Sequence, residues 1–181
     1  MVCYGGKDFA RAYRTVRGNT VKAVEEIPES SLDFAPASGA RTVRQLVTHI
    51  AMTDVFLGVH RERRTSFAGM NFPELVGQLR AEEEKPRTKA ELLALLQERG
   101  EATAVWLEAV SDEVLAERFD QPPGNEPATK SRFEMIMGLK EHEMHHRAQL
   151  MLIQRMVGQV PHLTRAMQAR FAAMAAQQPS Q

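Results

Sequence analysis

The chain has 181 residues, 43% of them hydrophobic and 25% charged, with a formal net charge of zero. This suits one domain with its own core, and it gives no global field to draw nucleic acid or an anionic membrane. No apolar run approaches the roughly 18 residues of a membrane span and no signal-peptide pattern opens the sequence, so a cytoplasmic protein is expected.

The only cysteine, Cys3, can close no intramolecular disulfide, and no His or Asp motif beside it marks a nucleophile. From Phe9 to Ile27 the apolar spacing predicts a first helix that stops before Pro28. Three stretches of the form S/T-x-x-E/Q then announce helix starts: Thr42 to Gln45, Thr88 to Glu91 and Ser131 to Glu134. The second helix is expected from Val43 to about Val59, with Leu46, His49, Ile50, Thr53, Phe56 and Leu57 on one stripe. An irregular stretch, RERRTSFAGMNFPEL, follows, with a short helix after Pro73. The third long helix runs from Lys89 to Val110, and the proline-rich loop DQPPGNEPATKS separates it from a fourth, Arg132 to about Val157. A last helical piece covers Leu163 to Ala176, and residues 177–181 are expected to be a disordered tail. No sustained period-two alternation or hairpin turn signal predicts a sheet. The expected fold is all-α: one domain over residues 1–176, a four-helix bundle with long crossover connections plus a short C-terminal helix.

The segment EHEMHHRAQL, residues 141–150, holds three of the six histidines. On a helix, His142 and His146 differ by about 40° and can reach one ion, whereas His145 points aside. The stripe through the pair continues to Gln149 and Ile153 one way and to Gly138 and Met135 the other, so the pair shares the face of apolar residues. Buried imidazoles need partners. His49 stands on the second helix's apolar stripe where a leucine would be ordinary, and one site shared between the two helices accounts for all three residues. His60 lies about 16 Å along a continuous helix from His49, too far to join, and His162 reads as a surface residue after Pro161.

The same segment spells H-E-x-x-H, the signature of helix-borne zinc protease sites. Such enzymes need a third ligand further on, yet no acidic residue follows His146, and Leu152 stands where the extended motif has a histidine. The protease reading fails there. Arg147, Arg155, Arg165 and Arg170 give this end a basic bias, too scattered to mark a nucleic-acid site.

The His in TVRQLVTHIA together with the later His-x-x-x-His-Arg-x-Gln-Leu segment resembles the DinB/YfiT-like superfamily of bacterial four-helix bundles, from the first helix to about residue 158. The resemblance implies a divalent metal, zinc or nickel, held by His49, His142 and His146, with His145 outside the ligand set. Ala148 replaces a glycine common in the family's motif. Homodimers are also implied, and Phe171, Ala172 and Met174 are expected either to contribute to such an interface or to close the core. Some relatives transfer or isomerise with low-molecular-weight thiols such as bacillithiol or mycothiol, and others are known only as stress-associated metal-binding bundles. The expected function is therefore a metal-dependent enzyme acting on a small molecule, as a thiol S-transferase or a hydrolase. The alternative is a non-enzymatic metal-binding homodimer. Gln149 is expected to orient an imidazole, and Glu143 is expected either as a proton acceptor or as a solvated flank residue.

Overall fold

The expected caps do start helices. In the computed structural model, which describes residues 4–177, Thr42, Thr88 and Ser131 each accept from a backbone N–H three residues on, and Gln45, Glu91 and Glu134 reach back. Cys3 and all of the expected tail except Gln177 lie outside the described residues. The four helices of the bundle are α1 (Gly6–Glu26), α2 (Val43–Met52), α5 (Lys89–Ala109) and α7 (Arg132–Met156). Between them come α3 (Gly58–Arg61), α4 (Phe72–Glu83) and α6 (Asp112–Ala116), and α8 (His162–Ala176) follows. Helix α1 packs against α5 and α7, and α2 against the same two, which closes a ring of four. Helix α4 lies along α2.

Two details depart from expectation. The second helix does not continue to Val59: α2 ends at Met52, a 3₁₀ stretch covers Thr53–Leu57, and α3 resumes at Gly58. Here the Thr53 hydroxyl donates to the His49 carbonyl, and Asp54 is drawn inward to Arg99 and Arg61. The proline-rich loop also holds a small antiparallel ribbon, β1 (Arg118–Asp120) with β2 (Thr129–Ser131). Strands of three residues are too short to show an alternation in sequence. The Asp120 N–H donates to the Thr65 carbonyl, tying this ribbon to the loop between α3 and α4.

The core is split in two. One cluster joins Val24, Ile27, Ile50, Leu92, Leu96 and Ile153, and the other joins Phe9, Tyr13, Leu57, Leu107 and Ile136. Burying each large side chain contributes about 1.5–3 kcal/mol. Between the clusters lies a polar layer. Arg17 is 6% exposed; its Nε donates to both oxygens of Glu143 at 3.0 and 3.1 Å, its Nη1 to the Leu96 carbonyl and its Nη2 to the Tyr13 hydroxyl. The guanidinium passes over Gly100, where a Cβ would stand 2.7 Å from Arg17 Cγ, so this position admits no side chain without displacing a pinned arginine.

Candidate metal centre

The three expected histidines meet in this middle layer. His49 comes from the last turn of α2, His142 and His146 from adjacent turns of α7, and one nitrogen of each lies within 4.8 Å of the others. His142 Nε2 is 3.1 Å from His49 Nε2 and 3.1 Å from His146 Nε2. His49 and His146 are buried, while His142 is half-buried.

Neighbours fix the tautomers. His49 Nδ1–H donates to Glu83 Oε1 at 2.8 Å, and Arg41 Nε holds the other Glu83 oxygen at 2.8 Å. His146 Nδ1–H donates to Gln149 Oε1 at 2.7 Å, while the Gln149 amide donates to His145 Nε2. With their protons held at Nδ1, His49 and His146 both turn an Nε2 lone pair toward His142 Nε2. One proton on His142 cannot satisfy two lone pairs so arranged, and its buried Nδ1 has no partner in either tautomer.

A cation at the convergence point resolves this conflict. With metal–nitrogen bonds of about 2.0–2.1 Å, a tetrahedral site has nitrogens roughly 3.4 Å apart, close to the spacing here. Burial lowers the pKa of all three rings, and for His142 the neighbouring His146 and His49 add to it and bring the value down to about 4. The rings are neutral near pH 7, as ligands must be. The residues present fit a divalent metal.

Other expected residues fall differently. Gln149 sits against His146, as its place on the stripe suggested. Glu143 is no solvated flank residue. It is 2% exposed and its carboxylate belongs to Arg17, because the turn of α7 that aims His142 and His146 at α2 aims Glu143 at α1. His60 does not join the three rings, but it is buried and its Nδ1 accepts from Arg132 Nη1. His162 is buried too, beside Asn19 of α1, and not the surface residue expected. Glu83 was not visible as a partner of His49, since it stands in the acidic run Glu82 to Glu84 that reads as a solvated face.

A family model of the DinB superfamily matches residues 12–150, a span holding all three histidines. The chain belongs to the DinB superfamily. Its fold is similar to that of solved DinB-like structures. YfiT from Bacillus subtilis, described as a probable metal-dependent hydrolase with an unusual four-helix bundle topology, is 22% identical with a TM-score of 0.64. That match covers 85% of this chain and 88% of YfiT. The DinB-like protein YjoA from Bacillus subtilis is 20% identical (TM-score 0.61, covering 83% and 92%). A DinB-like protein from Bacillus cereus is 19% identical (TM-score 0.64, covering 85% and 93%). No curated protein matches the chain. Among the described residues of this DinB-superfamily chain, no helix is long and apolar enough to cross a membrane.

Proposed function

We propose that this protein is a metal-dependent enzyme acting on a small molecule, as a hydrolase or a thiol S-transferase, with zinc or nickel held by His49, His142 and His146. The observation that carries this reading is the convergence of Nε2 lone pairs fixed from behind by Glu83 and Gln149. A divalent cation on three neutral imidazoles keeps its full charge and an open position, which supplies acidification of a water or a thiol near neutral pH. The chain's own residues do the rest. Glu83, anchored by Arg41, and Gln149 hold two rings in one tautomer and orientation. Half-buried His142 borders a cavity, so the site is reachable, which favours an enzyme over a sealed metal store. The proton-acceptor role expected of Glu143 has no support from its placement, and in this reading Glu143 positions α7 through Arg17.

The protein also forms a homodimer in this reading, supported by the apolar residues exposed on α8: Met167, Phe171 and Met174. Light scattering of Phe171→Glu against the wild type tests this. The enzymatic reading is tested by a turnover screen with ester and electrophile substrates, with and without low-molecular-weight thiols, comparing zinc- or nickel-loaded protein with stripped protein. A rate that follows metal content supports it. Equal rates would leave the metal-binding homodimer.

A further inference from the structure

A cavity of about 210 Å³ opens beside His142. Its walls are chiefly Phe56, Leu57, Phe67, Met135 and Leu139, and its polar lining besides His142 is Thr53 and His60. Its position is not accidental to the fold. The 3₁₀ break after α2 brings Phe56 and Leu57 there, and Phe67 is pinned edge-on to Phe119 of β1 at 4.8 Å between centroids. Gly138, one turn before His142, also borders the cavity, and a Cβ at this position would meet nothing within 4 Å. Larger clefts, such as that beside Gly5, Lys7 and Glu108 at about 470 Å³, reach none of the three histidines.

Among the described residues, no charged side chain lines the cavity. Arg132, which is fully buried, spends its guanidinium on His60 Nδ1, the Arg64 carbonyl and Glu117. Burial and that guanidinium bring the His60 pKa down to about 4, so the ring is neutral near pH 7. For scale, a dry cavity of about 150 Å³ takes a benzene molecule.

Resting on the metal reading, we propose that this cavity is the substrate subsite, and that it selects a small molecule whose reacting group lies at His142 and whose other end is a neutral apolar group about one substituted ring in size. A carboxylate or ammonium on that end would enter a cavity that offers no counter-ion, only the Thr53 hydroxyl and the neutral His60 ring, and is selected against. The polar part of a thiol or leaving group stays on the open side of the three histidines.

The test compares metal-binding probes that share a head group. Zinc-loaded protein is titrated calorimetrically with acetohydroxamate, benzohydroxamate and 4-carboxybenzohydroxamate. Burial of the ring is expected to make benzohydroxamate about 10- to 100-fold tighter than acetohydroxamate, with the carboxylate cancelling most of that gain. Gly138→Leu, which fills the cavity with a better helix former, should bring the ratio of the first two to within about threefold, with zinc affinity and circular dichroism unchanged. Equal binding of the first two probes by zinc-loaded wild type, or a ring advantage surviving Gly138→Leu, overturns the subsite. Failure of zinc to bind at all would instead overturn the metal reading. The subsite is then judged on metal-free protein by NMR titration with toluene. Shifts in α7 amides of the wild type but not of Gly138→Leu support it, and no shifts in either overturn it.

Discussion

Replacing Glu143 with alanine leaves the Arg17 guanidinium charged in the middle of the bundle, with the neutral Tyr13 hydroxyl and the Leu96 and Ile50 carbonyls as its remaining partners. Both partners are nearly inaccessible, at 6% and 2% exposure, so solvent cannot compensate. Burial alone would push the Arg17 pKa down, yet the Glu143 carboxylate and its other neighbours hold it above the ordinary value, so the arginine is charged and needs its counter-ion. Breaking a buried pair from one side costs about 3–5 kcal/mol. For a chain of this length, at about 2–4 °C per kcal/mol, that lowers Tm by roughly 6–20 °C. Substituting both residues, Arg17→Met with Glu143→Leu, removes the unpaired charge and should recover most of the loss, as replacing buried pairs by apolar side chains often does. Thermal melts and urea titrations of the wild type, Arg17→Met, Glu143→Leu and the double variant form the cycle, with Glu143→Ala measured beside them. Zinc stoichiometry should stay at about one per chain in every variant that folds at the assay temperature. A Glu143→Ala protein melting within about 2 °C of wild type, below the range expected for a broken buried pair, would refute the reasoning and return Glu143 to the candidates for proton transfer.

Other expectations follow from the same contacts. Glu83→Ala frees the His49 ring and should weaken zinc binding about 10- to 100-fold by competition with a chelating dye, while Glu83→Gln keeps an acceptor and should lose less. Gly100→Ala should lower stability by about 1–2 kcal/mol in urea, because crowding of the pinned Arg17 outweighs the helix propensity gained. For metal-free protein, stability should fall as pH drops from about 6.5 to about 4. In that window an unfolded chain protonates its histidines, whereas His60 and His142, lowered chiefly by burial, stay neutral until about 4. Urea midpoints at stepped pH check this, and His60→Phe, which cannot titrate, should flatten the slope.

How much was legible in the sequence depended on whether a signal was local. The capping boxes at Thr42, Thr88 and Ser131 are satisfied within four residues, and each marked its helix start correctly. The i, i+4 spacing of His142 and His146 is equally local, and the face that they share with Gly138 and Ile153 showed that they point inward. His49 could be added only because a histidine on an apolar stripe requires a partner. Contacts made across the bundle left no such trace. Arg17 and Glu143 are 126 positions apart, and each reads as an ordinary helix-surface charge. Glu83 reaches His49 from a helix whose acidic run looks solvated. His60 stays outside the three rings, as its distance along the chain suggested, but its buried contact with Arg132 of α7, made where a 3₁₀ segment interrupts the second helix, left no local trace.

Zinc titration of untagged protein, followed by elemental analysis after gel filtration, probes the three-histidine metal site itself. The wild type should retain about one zinc or nickel ion per chain. His49→Ala and His142→Ala, still helical, should retain almost none, and His145→Ala should retain it fully. A folded wild-type protein that keeps no divalent metal, or a His49→Ala variant that binds as tightly as the wild type, would contradict it.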